Sequence, residues 1–500
     1  MWDAGAERQR LTEFVRRNAT GETTVVAVQG LGFVGAAMVA ALAEARTPAG
    51  VPRFAVIGVD LPGEAGRDKI AHVRHGLPPL WSKDARLSEA YARAAATGNL
   101  TATVSHAAYE LAGVVVVDVN LDVRKSPSGD PRDYEVGYDA YLRALRSVAG
   151  AIAEDTLVVI ETTVPPGTTE KIIRPLFATA FAGRGLDARR LRLAHSYERV
   201  TPGCRYLDSI TDFYRVFAGI DRTSAERARA FLEAFVNTRD YPLSELPSVT
   251  ASEMAKVLEN AYRAANIAFM QEWTTFAEAA EVDLFGVIDA IRVRPTHRNM
   301  MAPGFGVGGY CLPKDALLAD WALRSHFGAA GRLDVSLEAI RINDSMPLHT
   351  FALLEQSAGR LEGHRVALLG VAYVDGVADT RGSPSATFYD QCVAAGALVT
   401  PHDPMVSFWP EKRIRVRRTL QPFARARHDT LVFAVRHPEY LSLTAGDIVR
   451  SFPGITCVID ANDVLSDGVA DGIRTHGIRV LGVGKGHWRA AGRLAARQPA

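Results

Sequence analysis

Cysteine is scarce, with four in 500 residues. Cys204, Cys311, Cys392 and Cys457 lie far apart, form no Cys-x-x-Cys pair and close no short loop, so neither a zinc framework nor a disulfide scaffold is expected. No metal ligand set is expected elsewhere. Long apolar runs are also missing. Nothing reaches about 18 uninterrupted apolar residues, so no membrane span is expected. An excess of either charge is lacking too, since 57 Lys and Arg face 56 Asp and Glu. That balance gives no electrostatic footprint for a nucleic-acid partner. The first 22 residues, MWDAGAERQRLTEFVRRNATGE, interleave acids with arginines and carry no apolar signal-type stretch, so a cytoplasmic protein is expected. With 48% hydrophobic and 23% charged residues, the chain reads as globular and long enough for two or three domains.

What is there begins with TTVVAVQGLGFVGAAMVAALAEA, a buried-strand run entering a glycine turn and then an Ala-rich helical stretch. Strand, Gly-x-Gly-x-x-Gly and helix in that order are what a dinucleotide site needs. Gly30 permits the tight turn, Gly32 lets backbone approach a diphosphate, and Gly35 lets helix and strand pack closely, with Phe33 and Val34 opening the helix. The helix start then offers N–H groups and a positive dipole end. A second run, FAVIGVD, ends at Asp60, where an acid can bond both hydroxyls of an unphosphorylated ribose; that favours NAD over NADP. The bland alternative is a glycine turn without a cofactor. Further strands are expected at 114–119, at 156–164 and ending near His195, giving a doubly wound parallel sheet with ligands at the strands' carboxyl ends. Thr162, Thr163 and Glu198 follow such ends and are candidates for the nicotinamide side.

From Thr250 the pattern changes. Thr250 and Glu253 have capping-box spacing, and about thirty residues without Pro or Gly follow. A helix of that length suits a bridge between domains and a dimer face. Lys256 and Asn260, four apart, share one of its faces, which is either a solvated stripe or a working pair. Beyond residue 350 the first arrangement recurs: HRVALLGVAYV, a helical SPSATFYDQCVAAG, then ALVTPHDP, TLVFAV and ITCVIDAND. The degenerate turn at Gly370 suggests a nucleotide other than NAD. The fold class is therefore α/β, with two Rossmann-like doubly wound domains joined by a long central helix. The expected division is an N-terminal extension (1–22), an NAD domain (23–245), a central helical domain (246–350), a second Rossmann-like domain (351–488) and a helical tail (489–500).

Between helix and second domain lies GVGGYCLPKD (306–315). Its Cys311 is open to three readings: packed thiol, metal ligand or nucleophile. Lys314 and Lys256 are candidate cations to lower its pKa. NAD beside a nucleophilic thiol points to oxidation of an aldehyde through a thiohemiacetal and a thioester, with an acid as product.

The ordered blocks, Gly-x-Gly-x-x-Gly with Asp60, TTVPPGTTE, SYERVTPG, the Lys256 to Asn260 helix, PGFGVGGYCLPKD and GVAY...DTRGSP, resemble the nucleotide-sugar 6-dehydrogenase family, the UDP-glucose/GDP-mannose dehydrogenases, over residues 23–488. The resemblance implies NAD-dependent oxidation of the C6 alcohol of a nucleotide sugar to a carboxylate, two NAD per sugar, in a homodimer formed through the central helix. By position it makes Cys311 the nucleophile, Lys256 and Asn260 the groups at the oxyanion, and Asp315 an acid working with a water that Thr163 helps to position. Glu198 becomes the base for thioester hydrolysis. In the bland reading Asp315 only caps its helix. Substrate contacts are implied for Glu198, Arg199, Val200, Lys256, Asn260, Arg298, Phe305, Gly306, Gly308 and Arg381, and Asn266 and Glu272 become interface candidates. His195 is expected to be structural, and the other three cysteines to be packed thiols.

Two departures bear on specificity. The family's Phe-Lys pair is Tyr373-Val374 here, so a lysine expected near the substrate is missing although Asp379 and Arg381 remain. Its Pro-Thr-Pro after the valine strand is replaced by Asp118-Val119-Asn120. SYERVTPG resembles the branch acting on N-acetylhexosamine nucleotides, with UDP- or TDP-glucose as the alternative substrate. Such uronic acids feed surface polysaccharides or decorate secreted small molecules. Two rivals remain: a two-electron dehydrogenase of the 6-phosphogluconate type, and a sugar-nucleotide or NAD sensor without turnover.

Overall fold

Apolar runs bounded by turn residues form strands that are largely buried on both faces, as a sheet covered by helices requires. In a computed structural model these are β1 (Thr24–Gln29), β2 (Phe54–Val59), β3 (Leu100–Thr103) and β4 (Val114–Val117), then, after a partly exposed hairpin of β5 (Asp122–Lys125) and β6 (Tyr134–Gly137), β7 (Leu157–Ile160), β8 (Arg192–Tyr197) and β9 (Val216–Gly219), with the exposed two-residue β10 (Ser244–Glu245) at the edge. The structure describes residues 3–126, 129–200, 203, 205–421 and 423–489. It divides into two compact units, one of Met1–Lys125, Tyr134–Leu258 and Leu317–Arg332, the other of Ser126–Asp133, Glu259–Ala316 and Leu333–Ala500.

In the first unit eight strands lie in the order β10-β9-β8-β7-β4-β1-β2-β3. The order reverses between β1 and β4, which sets a topological switch point at their carboxyl ends. From β3 to β8 all neighbours are parallel, as a doubly wound sheet requires, while β9, a strand on which the sequence reading is silent, runs antiparallel to β8. Among the described residues between them the chain forms one short helix, Asp208–Thr211, instead of the crossover helix that usually joins parallel strands, and it doubles back. The amino-terminal segment forms a helix, Ala4–Asn18, that buries Leu11 and Phe14 in one of the sheet's two cores.

The central helix runs from Val249 to Ala279. Ser248, not Thr250, serves its start: the Ser248 hydroxyl accepts the Ala251 N–H at 3.2 Å. The capping box does not form, because the Glu253 carboxylate is engaged elsewhere, on Gly167 and Thr169. Met254, Leu258, Tyr262, Phe269, Trp273 and Phe276 stay exposed along the helix at steps of three, four and seven, forming one apolar stripe.

The second unit holds β11 (Arg365–Leu369), β12 (Leu398–His402), the short pair β13 (Phe408–Trp409) and β14 (Ile414–Arg415), β15 (Thr430–Phe433), β16 (Cys457–Asp460) and β17 (Arg479–Gly482). Five of them make a parallel sheet in the order β12-β11-β15-β16-β17. Gly370 turns the chain after β11 with φ +104°, and Asp403, at the end of β12, accepts the Val371 and Ala372 N–H groups at 2.8 and 2.9 Å. Cys392 and Cys457 are buried, as packed thiols should be. Cys204 and the tail beyond Arg489 lie outside the described residues.

Replacing Ser248 with Ala is expected to lower stability by about 1 kcal/mol, while Thr250→Ala leaves it within about 0.5 kcal/mol. Denaturant midpoints of the two variants check the assignment.

Candidate active site

At the switch point the chain leaves β1 through Gly30, with φ +99°. A Cβ there would lie 2.7 Å from the Asp118 carbonyl oxygen, and one on Gly35 would lie 1.8 Å from the Gly30 oxygen, so both positions demand glycine. Around Gly32 the space is open, with nothing within 4 Å of a Cβ. The helix Phe33–Glu44 then starts without a side-chain cap, and Phe33, Val34 and Gly35 form its first turn. Asp60 follows β2 and accepts the Leu31 N–H at 3.2 Å and the Leu61 N–H at 2.7 Å. Lys69, which the sequence reading missed, pairs with it at 3.0 Å. An uncapped helix start behind an open glycine turn fits the diphosphate of NAD, with Asp60 beside it for the ribose hydroxyls.

Three acids stand in a row along the same edge. Asp118, Glu161 and Glu198 each follow directly on β4, β7 and β8, which are neighbours in the sheet. Glu161 is buried in an ion pair with Arg215, which is buried as well. Burial first, and then the Glu161 carboxylate, push the Asp118 carboxyl well above the usual carboxylate range. Glu198 meets Lys256 of the central helix: the ammonium lies 3.6 Å from Oε1 and donates to the Glu198 carbonyl at 2.7 Å. The Val200 N–H closes back on the Glu198 carboxylate. Arg199 donates to the Tyr214 carbonyl at 2.5 Å and the Tyr197 hydroxyl at 3.0 Å.

The two threonines behave differently. Thr162 donates its hydroxyl to the Val117 and Val119 carbonyls, at 3.0 and 2.8 Å, and so ties the ends of β7 and β4 together. Thr163, next in the same turn, is half-buried. His195 is fully buried, with Nδ1 2.8 Å from the Ser252 hydroxyl. Burial, then the Lys256 charge, push it down to about 3, which makes it a neutral structural group.

In the second unit Cys311 is exposed, and its carbonyl accepts the N–H groups of Lys314 and Asp315 at 3.1 and 3.0 Å. Asp315 is fully buried in the first turn of its helix and is held from both sides: Asn260 donates to Oδ2 at 2.7 Å, and Lys314 pairs with Oδ1 at 3.0 Å. Lys314, a candidate cation for the thiol, is thus also the partner of Asp315. Gly306 and Gly308 lie against Pro384 and Tyr373, where a Cβ would come within 2.6 and 2.8 Å. Phe305 points into the core against Phe388, centroids 5.5 Å apart, so its ring is structural. Arg381 grips Asp379 through two nitrogens and lies over the Tyr310 ring at 5.2 Å. Arg298 is exposed at the end of the turn Pro295–His297. Asn266 serves its own chain, bonding the Asn299 carbonyl and the Met301 N–H, both at 2.9 Å, while Glu272 is exposed. Among the described residues no cluster of His, Cys, Asp or Glu could hold a metal ion, and no helix is long and apolar enough to cross a membrane.

The structure therefore brings together Glu198 with Lys256, and the glycine turn with Asp60, in the first unit, and Asn260 with Asp315 beside Cys311 in the second. A dinucleotide turn, a buried lysine paired with an acid and an exposed cysteine on a glycine loop define a dehydrogenase of the Rossmann class. Models of the UDP-glucose/GDP-mannose dehydrogenase family match three parts in succession: the NAD binding domain over residues 24–236, the central domain over 250–345 and the UDP binding domain over 367–467. A UDP-N-acetyl-D-mannosamine dehydrogenase of Pyrococcus horikoshii is 29% identical over 457 residues, covering 88% of this chain and 96% of the relative. The crystal structure of an NDP-N-acetyl-D-galactosaminuronic acid dehydrogenase from Methanosarcina mazei superposes with TM-score 0.76 at 26% identity, covering 96% of this chain and 98% of that one. A UDP-glucose dehydrogenase from Pyrobaculum islandicum gives TM-score 0.75 at 25% identity, covering 93% and 99%. The chain belongs to the UDP-glucose/GDP-mannose dehydrogenase family, and it is an NAD-dependent nucleotide-sugar dehydrogenase.

His195 yields a pH prediction. Its folded pKa of about 3 lies below the unfolded value of 6.5, so the stability it contributes is full above pH 6.5 and is lost as pH falls toward 3. The slope is about 1.4 kcal/mol per pH unit from this group. Denaturant midpoints between pH 7 and 5 are expected to fall less steeply in His195→Gln than in the parent.

Proposed function

We propose that the chain oxidises the C6 hydroxymethyl group of a UDP-N-acetylhexosamine to the carboxylate, with Cys311 as covalent nucleophile. The observation that carries this reading is the buried Asn260–Asp315 pair, bonded through the Asp315 N–H to the carbonyl of the exposed Cys311. A merely structural loop has no use for an acid held between an amide and a lysine directly behind an exposed thiol. NAD, when bound at the glycine turn, accepts the hydride of each oxidation.

In the first step the C6 hydroxyl gives up a proton as hydride leaves C6, and an aldehyde forms. Asp315 works with an ordered water to take that proton, and Thr163 helps to place the water. Lys256 and Asn260, one turn apart on the helix, stabilise the negative charge that develops on O6. The Cys311 thiolate then adds to the aldehyde carbon. Loss of a second hydride from the resulting thiohemiacetal leaves a thioester. Glu198 takes a proton from the water that attacks it, and the C–S bond breaks to release the carboxylate and the thiol. Four electrons leave as two hydrides, and one water is consumed per sugar.

The N-acetylhexosamine preference rests on the SYERVTPG segment and on the relatives named for N-acetylated sugars. The Pyrobaculum likeness keeps UDP- or TDP-glucose as the second reading. With Val374 in place of the family lysine, Arg381 is the cation assigned to the substrate's diphosphate or sugar. The apolar stripe on the central helix supports a homodimer formed through it, and we place the enzyme in the cytoplasm, supplying uronic acids for polysaccharide synthesis.

Purified protein, NAD and a panel of UDP- and TDP-hexoses and N-acetylhexosamines are expected to give two NADH per sugar with a carboxylate product. Cys311→Ser is expected to abolish acid formation, since a serine hydroxyl is scarcely ionised at neutral pH and is a far poorer nucleophile than a thiolate. Full acid yield from Cys311→Ser, or one NADH per sugar in the parent, would return the two-electron reading. Tight sugar-nucleotide binding with no NADH would return the sensor.

A further inference from the structure

The TTVPPGTTE turn is held from the central helix by a group the mechanism above does not use. Glu253 is fully buried and spends both carboxylate oxygens on backbone: Oε2 accepts the Gly167 N–H at 2.6 Å and Oε1 the Thr169 N–H at 2.8 Å. Two prolines, Pro165 and Pro166, leave this turn short of N–H donors, and these two amides are at the start of the helix that follows, where a carboxylate is best placed. The rest of the turn is fastened as well. Thr168 donates to the Pro165 carbonyl at 2.6 Å and meets the Tyr138 hydroxyl at 2.8 Å, and the His326 ring bonds the Pro166 carbonyl at 2.8 Å. Gly167, at φ +91°, brings its backbone against His326 and Phe327, where a Cβ would lie 3.2 and 3.0 Å away. At the near end of the turn stand Thr162, locked to β4, and Thr163 beside it. Three residues on from Glu253, on the same helical face, comes Lys256.

We propose that Glu253 is a positioning residue for the oxidation: its carboxylate clamps the turn that carries Thr163 to the helical turn that carries Lys256, and so fixes the two relative to each other. This rests on the roles proposed above for Thr163 and Lys256. A clamp of two N–H groups needs both oxygens as acceptors, so a protonated Glu253 holds the turn less firmly. Burial raises the group to about 7, against the pull of the Thr169 and Gly167 hydrogen bonds, and the Glu170 charge raises it further. The other titratable groups at this place are Tyr138 and Tyr141, both raised chiefly by burial, His326, which burial lowers, and Lys171, whose ammonium bonds the His326 carbonyl. The clamp therefore tightens as pH rises through neutrality.

Glu253→Gln keeps the shape and removes one acceptor. The expected result is a fall in kcat of roughly ten- to hundredfold, of the size that small misplacements cause, with the KM for the sugar nucleotide changed by less than about threefold, since uniform binding is untouched. In the parent, kcat at saturation is expected to fall below pH 7, and this part of the acid limb is expected to vanish in Glu253→Gln. A Glu253→Gln enzyme with parental kcat and an intact limb would overturn the proposal while leaving the proposed reaction standing. If that variant does not fold, amide hydrogen exchange on the parent decides. Protection of the Gly167 and Thr169 amides is expected to rise between pH 6 and 8, and protection independent of pH would overturn the clamp. A parent that forms no NADH with any nucleotide sugar would instead refute the proposed reaction and with it the positioning role, and the exchange result would then report on the clamp alone.

Discussion

Burying a lysine to 6% exposure costs free energy unless its ammonium is paired and hydrogen-bonded, and here Glu198 at the end of β8 supplies both a carboxylate and a carbonyl. The rest of the carboxyl edge follows from the same constraint. Neighbouring strands deliver three acids to this edge, Glu198, Glu161 and Asp118, and among the described residues Lys256 pairs with the first and Arg215 with the second. Burial and then the Glu161 carboxylate raise the third, Asp118, well above the usual carboxylate range.

The central helix is the common carrier of these pieces. Along one 31-residue element it presents Glu253 and Lys256 to the first unit and Asn260 to the second, at helical steps of three and four. Glu253 reaches back to a turn 84 residues earlier, and Asn260 forward to an acid 55 residues later. Further along, Glu278 accepts the Gly484 N–H at 3.1 Å, which anchors the last glycine turn of the second unit, and bonds the His349 ring at 2.8 Å.

What was legible in the sequence is what is decided locally. The valine-rich strands, the Gly30 to Gly35 turn, Asp60 and the long helix each depend on residues close in the chain, and each stands where the reading placed it. What failed depended on distant partners. The Thr250–Glu253 capping box is sound local grammar, overruled because a buried turn needed the same carboxylate. Partners of other groups were simply not legible: Lys314 pairs with the buried Asp315 next to it, and Thr162 bonds the carbonyls of Val117 and Val119. The direction of β9 depends on a connection whose described helix is too short to cross over. The Glu161–Arg215 pair spans 54 residues, and no spacing rule could have found it. The sequence marks Asp118 only as the absence of a threonine; its raised carboxyl depends on burial and on its neighbours in the sheet.

The central claim is that the second oxidation takes place on a carbon bonded to Cys311. Intact-protein mass spectrometry of Glu198→Gln, mixed with NAD and the preferred UDP-sugar, tests it most directly, because slowed hydrolysis leaves the thioester on the enzyme. The account predicts a mass increase equal to the acyl form of the sugar nucleotide, mapped to Cys311 by peptide analysis. Two NADH per sugar with no adduct, or an adduct on another residue, would contradict it.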